Sequence, residues 1–433
     1  MKLKSLQLQH YKGFSESKID FDGRTTIFFG PNGVGKSSVL EAIGSVFAPL
    51  LSGIINKGSD KKVKKPKDNL DMDDIKFGES AAKLSAKILV GEEQFTYSRM
   101  INKKKKEDTR EEKLAIIERF CSRYLWDQKY DNEENSMPIY ANYGTHRAVR
   151  LVKVQRVHNQ HESFEKIFAL ENAIENTVDF RTFFEWFRTE QEIENNKKVE
   201  TGDMTYQDKA LSCVKKAVLS MLGEQFTDLK IMFHPLRMVA AKNGENLKIE
   251  QLSDGEKCTL AMVGDLARRL AIANYNMNNP LLGKGIVLID EIELHLHPSW
   301  QGRIVPVLME IFPNIQFLIT THSPKVLSEL KRDVNIYSIS MEKNCAHVKL
   351  EKNMALFDIN TIFAKYMDTS FATKEASEFS DRVYRSIEKR DFDLAQQLID
   401  EWIERTDNLN PEVIKAQLAL KRGWLLDAKN RKE

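Results

Sequence analysis

The segment Gly30-Pro31-Asn32-Gly33-Val34-Gly35-Lys36-Ser37 constrains this chain more than any other. A short apolar run, 25–29, leads into it, and in the stretch that follows Val39, Leu40, Ile43, Val46 and Phe47 recur at helical spacing. Glycines between a strand and a helix let successive backbone N–H groups turn inward around phosphate oxygens, at the positive end of the helix dipole. Asn32, Gly33, Gly35, Lys36, Ser37 and Ser38 are therefore the candidate nucleotide-binding residues. Lys36 is expected to reach the β- and γ-phosphates, and Ser37 to supply a hydroxyl to magnesium.

The other half of such a site lies far along the chain. Ile286-Val287-Leu288-Ile289 reads as a buried parallel strand delivering Asp290 and Glu291 at its carboxyl end, where parallel α/β sheets bind ligands. Asp290 would hold the magnesium shell, and Glu291 would orient or deprotonate the attacking water. A third element, Leu252-Ser253-Asp254-Gly255-Glu256-Lys257, opens a strongly helical stretch. Serine and glycine at a helix amino terminus make a second anion site. One nucleotide already has its own loop, so Ser253, Gly255 and Glu256 make sense facing the nucleotide of another subunit. Ser253 is equally a residue that caps helices.

The Leu-Ser-x-Gly-Glu pattern resembles the signature of ABC-type ATPases, in the branch that includes the SMC, Rad50 and RecF heads. The resemblance covers residues 1–150 and 245–345. It implies a magnesium-dependent ATPase, a homodimer or higher oligomer whose heads sandwich ATP, and His322, in Thr320-Thr321-His322-Ser323, as the γ-phosphate contact. The catalytic set is then Glu291, His322 and Lys36, with Ser37 and Asp290 on the metal. The stretch from Glu293 to Pro298 stands at the family's D-loop, and D-E-x-E-x-H-L-H-P is similar to the version in OLD-like and defence-associated ATPases. His295 and His297 lack the nearby third ligand a metal site needs. No Q-loop glutamine is identifiable; the stretch from Tyr140 to Arg147 resembles the Y-Y-G-T-x-R element of defence-type ATPases, with His146 or Arg147 as a nucleotide or metal contact.

The expected fold class is α/β: an ABC-type ATPase head with a P-loop parallel sheet core and an antiparallel β subdomain. Residues 1–150 form its first lobe and 245–345 its second, separated by a helical insertion, 151–244, and followed by a helical region, 346–433. The insertion is read from apolar stripes such as Phe183, Phe184 and Phe187, then Leu211, Val214 and Val218. Past Thr321 there is no clustered carboxylate set of the Toprim kind, no H-N-H and no P-D-(D/E)-x-K, so the chain is not read as a nuclease. The segment from Asp358 to Met367 resembles the Septu-type and retron-associated ATPases called PtuA, which work beside a separate HNH nuclease. That implies anti-phage defence, with an HNH nuclease and a retron reverse transcriptase with its msDNA as partners. The alternative is a RecF-like DNA repair ATPase. A nucleotide-gated scaffold would not need Glu291, and the long insertion does not look like a transporter cassette.

Composition sets the remaining limits. With 42% apolar and 30% charged residues, the 433-residue chain is neither membrane-embedded nor disordered. A net charge of +2 restricts any duplex DNA contact to local patches. Lys61, Lys62, Lys64, Lys65 and Lys67 form one such run and Lys103–Lys106 another; each is either a solvated face or a DNA contact. Cys121, Cys213, Cys258 and Cys345 form no C-x-x-C pair, which argues against zinc or disulfides and for the cytoplasm. The amino terminus lacks the apolar segment of a signal peptide, and no apolar run reaches ~18 residues.

Overall fold

The computed structural model describes residues 1–58, 63–64, 66–67, 70–102, 105–126, 136–145, 165–175, 180–330, 333–351, 374–405 and 411–430. They fall into two compact units, Met1–Ile359 and Asn360–Glu433.

The first unit opens with strands β1 (Lys2–Tyr11) and β2 (Phe14–Asp20), then β3 (Thr26–Phe29), which leads to helix α1 (Lys36–Gly58). Strands β4 (Ala81–Val90), β5 (Glu93–Asn102) and β6 (Lys106–Asp108) join the first hairpin in a five-stranded antiparallel sheet, ordered β2-β1-β4-β5-β6. After α2 (Arg110–Cys121) come β7 (Ile139–Tyr143), α3 (Phe180–Thr201) and α4 (Lys209–Leu222). A second small sheet follows, with β8 (Phe226–Phe233), β9 (Leu236–Lys242) and β10 (Glu245–Lys248). The chain continues through α5 (Asp254–Ala273), β11 (Gly285–Ile289), α6 (Pro298–Gln301), α7 (Ile304–Ile311), β12 (Ile315–Thr321), α8 (Pro324–Ser328), β13 (Asn335–Glu342) and β14 (Cys345–Leu350).

Six strands make the central sheet, ordered β14-β13-β3-β12-β11-β7, with every pair parallel except β13 with β14. Every residue of β3, β7, β11 and β12 is buried, which explains their unbroken apolar runs: a parallel strand covered on both faces has no solvent side to mark. Helix α1 buries Val39, Ile43, Val46, Phe47, Leu50, Leu51 and Ile54 within this unit. By length and composition alone it is apolar enough to cross a membrane, yet 72% of its most apolar window is buried inside the protein, as befits a core helix. Gly53 lets it approach α2 closely, since a Cβ there would lie 2.2 Å from Ile117 Cδ1.

The helical reading of 151–244 needs correction at its end, because β8 to β10 occupy Phe226–Lys248. The hairpin signal was Asn243-Gly244, whose φ values of 52° and 84° make the tight turn between β9 and β10. The helix-forming residues upstream obscure it. Lys61, Lys62, Lys65, Lys103 and Lys104, His146 and Arg147, and residues 358–367 lie outside the described residues. Lys64 pairs with Glu175 at 2.6 Å.

In the second unit, helices α9 (Lys374–Glu388), α10 (Phe392–Arg405) and α11 (Pro411–Asn430) enclose a core of Val383, Ala395, Ile399, Val413 and Ala416. Phe379 and Trp402 stack beside it at 4.5 Å between ring centroids.

One buried ionic cluster ties the first unit together. Asp265 on α5 accepts from Tyr143 Oη at 2.9 Å, Arg268 Nη2 at 2.8 Å and Arg269 Nε at 2.8 Å. Arg269 also donates through Nη1 to the carbonyls of Ala169 at 2.9 Å and Glu171 at 2.7 Å. Burial pushes the Asp265 carboxyl up, but Arg269 and Arg268 outweigh it and hold the group well below the usual carboxylate range. Asp265→Ala is expected to lower stability by about 3–5 kcal/mol, because it strands two buried guanidinium groups. Tyr143→Phe, which removes one hydrogen bond to the carboxylate, should cost about 2 kcal/mol. Urea unfolding curves of the two variants and the parent measure both effects.

Candidate functional site

In the central sheet β12 lies between β3 and β11, and β7 lies beyond β11. Because these strands run parallel, the segments leaving their carboxyl ends gather along one edge: the glycine loop, Thr320 to His322, Asp290 with Glu291, and Gly144 with Thr145. Residues remote in sequence meet there.

The loop is shaped by glycine. Gly30, Gly33 and Gly35 have φ values of 149°, 80° and 103°, and a Cβ on Gly30 would lie 2.3 Å from the carbonyl oxygen of Ile339. Lys36 opens α1 and is 6% exposed. Its Nζ donates to the carbonyls of Gly30 at 2.8 Å and Pro31 at 2.7 Å, folding the side chain over the loop. Burial lowers the Lys36 pKa, while Glu293, Glu291 and Asp290 act in the opposite direction.

Ser37 Oγ donates to Asp290 Oδ1 at 3.0 Å, joining the two halves of the expected metal site. Thr320 Oγ1 donates to the same oxygen at 2.5 Å and accepts from the Glu291 backbone N–H at 2.8 Å. The Asp290 N–H is tied in turn to the Tyr143 carbonyl at 2.8 Å. Glu291 adopts a left-handed backbone with φ of 48°, a conformation a non-glycine residue holds only where its surroundings enforce it. A hydroxyl and a carboxylate oxygen are hard donors of the kind magnesium takes, and their closeness fits one ion held between them.

Glu293 is 5% exposed and faces the segment that carries His322. Its Oε1 accepts from the His322 backbone N–H at 2.7 Å and lies 2.8 Å from His322 Nδ1. Burial would raise the Glu293 carboxyl, but the bonds from His322 hold it below its ordinary value. The same bond from Glu293 raises the His322 pKa, against the opposing effect of burial. Next to it, Ser323 Oγ donates to Gln301 Oε1 at 2.7 Å.

Ser253 and Gly255 are not brought to this edge. Ser253 caps α5: its Oγ accepts from the Glu256 N–H at 3.3 Å, and Glu256 Oε2 accepts from the Ser253 N–H at 2.9 Å. Glu256 Oε1 also accepts from Lys242 Nζ at 2.8 Å. These residues line a separate cleft with Lys242, His295, His297 and Trp300, and no residue of the glycine loop lines it. A Cβ on Gly255 would lie 2.6 Å from the His295 carbonyl oxygen, so only glycine lets α5 start against that backbone. His297 Nδ1 accepts from the Ser299 N–H at 3.3 Å as the cap of α6.

Over residues 25–328 the sequence matches the family described as "AAA domain, putative AbiEii toxin, Type IV TA system". The chain belongs to that family. It is an ABC-type ATPase, related to PtuA. The ATPase is 31% identical over 384 residues to "Retron Ec83 probable ATPase" of Escherichia coli, covering 75% of this chain and 69% of that protein. It is 24% identical over 335 residues to "Septu protein PtuA" of Bacillus thuringiensis, covering 75% and 72% respectively. An SMC head crystallised with the C-terminal winged-helix domain of ScpA aligns with 82% of this chain and 98% of its own, at 16% identity and a TM-score of 0.48.

Sequence reasoning named Thr320 and Glu293 only as letters in motifs. Their hydrogen bonds to Asp290, Glu291 and His322 emerge once β11 and β12 are paired. For nucleotide binding, Lys36→Ala is expected to weaken ATP affinity at least about tenfold, since it removes a charge-assisted donor. Glu291→Gln, which keeps the loop intact, should leave affinity within about twofold of the parent by the same reasoning. Equilibrium titration with a fluorescent ATP analogue and magnesium distinguishes the two.

Proposed function

We propose that this ATPase is a subunit of an anti-phage defence system, in which ATP-dependent pairing of two heads regulates a separate nuclease of the HNH class. The observation that carries this reading is the separation of two anion-binding elements in one chain. Lys36, Ser37, Asp290 and Glu291 converge on one edge of the sheet, whereas Ser253 and Gly255 line another cleft. A signature helix remote from its own glycine loop is useful if it completes the site of a second copy. The retron and Septu names of the relatives support the defence assignment.

The roles follow from the chemistry of each group. The loop N–H groups and Lys36 hold the phosphates, and Ser37 and Asp290 hold magnesium, which when bound offsets the charge on the transferring phosphoryl group. Thr320 fixes the Asp290 oxygen that accepts from Ser37, and through the Glu291 N–H it also fixes the turn that carries Glu291. Glu291 orients the attacking water and takes its proton, and His322 donates to the γ-phosphate. Duplex DNA and a retron reverse transcriptase with its msDNA are further partners in this reading. The lysine runs around Lys64 and Lys105 are the candidate DNA contacts.

Glu291→Gln is expected to retain ATP, lose turnover by about a hundredfold or more, and accumulate as a dimer with ATP and magnesium. Sedimentation velocity with and without nucleotide reads the dimer. Mixing Lys36→Ala chains with Ser253→Arg chains tests the shared site directly, because each mixed dimer holds one site free of both substitutions. Partial recovery of hydrolysis supports the arrangement. No recovery at any mixing ratio, with mixed dimers demonstrated, rules it out. Copurification with the products of neighbouring reading frames tests the nuclease partner; a recombination factor in its place would favour DNA repair.

A further inference from the structure

The sequence assigns no task to the next acidic residue after Asp290-Glu291, yet its surroundings are unusual. Glu293 is almost wholly buried, and one of its oxygens receives both the backbone N–H and the ring Nδ1 of a single residue, His322, at 2.7 and 2.8 Å. The histidine side chain is 43% exposed, while its Nδ1 is engaged with the buried carboxylate. An ionised carboxylate can only accept. The 2.8 Å contact therefore requires the proton to sit on Nδ1. Two bonds from one residue to one oxygen fix the ring's position along the chain as well as its tautomer.

We propose that Glu293 is a positioning residue for ATP hydrolysis, which clamps His322 through its backbone N–H and Nδ1–H so that Nε2 is presented to the nucleotide site. A neutral ring clamped in this way would turn a lone pair towards the phosphates. A second proton turns Nε2 into a charged donor, and the carboxylate opposite Nδ1 favours that form. Glu291 acts on the ring in the same sense, and Lys36 acts against it. The inference rests on the reading of His322 as a γ-phosphate donor. It adds that the histidine depends on the D-loop segment; the neighbouring Ser323 is tied in turn to Gln301 at the end of α6, at 2.7 Å.

The test is a double-mutant cycle in steady-state ATP hydrolysis by the full chain, with Glu293→Gln, His322→Asn and the pair. His322→Asn alone tests the underlying reading: a kcat equal to the parent's removes the histidine from the reaction, whatever Glu293 does. If His322→Asn lowers kcat, Glu293→Gln is expected to lower kcat roughly ten- to hundredfold with KM for ATP within about twofold, the range typical of residues that orient a functional histidine. It should then cost little further in the His322→Asn background. An equal loss in both backgrounds would overturn the clamp and leave Glu293 a structural residue.

The pH profile gives a second reading, and the position of the parent's limb does not depend on any variant folding. If the protonated ring is the active form, kcat falls as pH rises through the His322 pKa. In the parent that fall is expected above the ordinary histidine value of about 6.5, and in Glu293→Gln at lower pH. A parent profile whose alkaline limb lies at or below that value, or a limb unmoved in Glu293→Gln, counts against the proposal. Glu293→Asp, which keeps the charge and shortens the reach, should recover the position of the limb more than the rate.

Discussion

Everything at the site depends on the parallel pairing of β12 with β3 on one side and β11 on the other. Backbone hydrogen bonds in that register bring Thr320 beside Asp290, and through Asp290 beside Ser37, although these residues come from distant parts of the chain. A shift of one residue in β12 would turn its side chains to the opposite faces and remove Thr320 from both bonds it makes. The apolar burial of β3, β11 and β12 therefore sets the geometry of the candidate site. The site is a consequence of sheet register before it is a collection of motifs.

Much of this was legible in the sequence. The unbroken apolar runs ending in Asp290 and Thr321, and the glycine loop between strand and helix, gave the elements and their order. What local patterns do not carry is the partner of each side chain. Thr320 and Glu293 look ordinary in the sequence, because a threonine at a strand end and a glutamate in a turn are each common. Their bonds depend on which strand lies next to which. Strands β8 to β10 are hard to read for another reason: their short segments follow long helical stripes, and Asn243-Gly244 marks only the turn between β9 and β10. At Ser253 two readings of one residue coexist, since capping α5 occupies its side chain towards Glu256 while leaving the helix start exposed in a cleft.

The buried cluster around Asp265 relates these parts to one another. Tyr143 gives its carbonyl to the Asp290 N–H and its hydroxyl to Asp265, so one residue at the end of β7 touches both the nucleotide edge and the helix that begins at the signature. Arg269 extends the contact to the carbonyls of Ala169 and Glu171. Buried ionic groups seldom add net stability over a well-packed apolar core, but they tolerate few alternative arrangements. Here they fix α5 relative to the strand ends.

The lysine of the glycine loop has a consequence of its own. An ammonium group has three donors, and Lys36 gives two of them to the carbonyls of Gly30 and Pro31. Among the described residues no further hydrogen bond takes the third, whose direction is set by the other two. In the proposed reading, with those bonds kept, the loop would sense where an oxygen stands as well as how much charge it carries, because a phosphate would have to bring an oxygen to that single vector. On that reading a shorter nucleotide whose last oxygen stops short of it would meet the same charge but forfeit the bond.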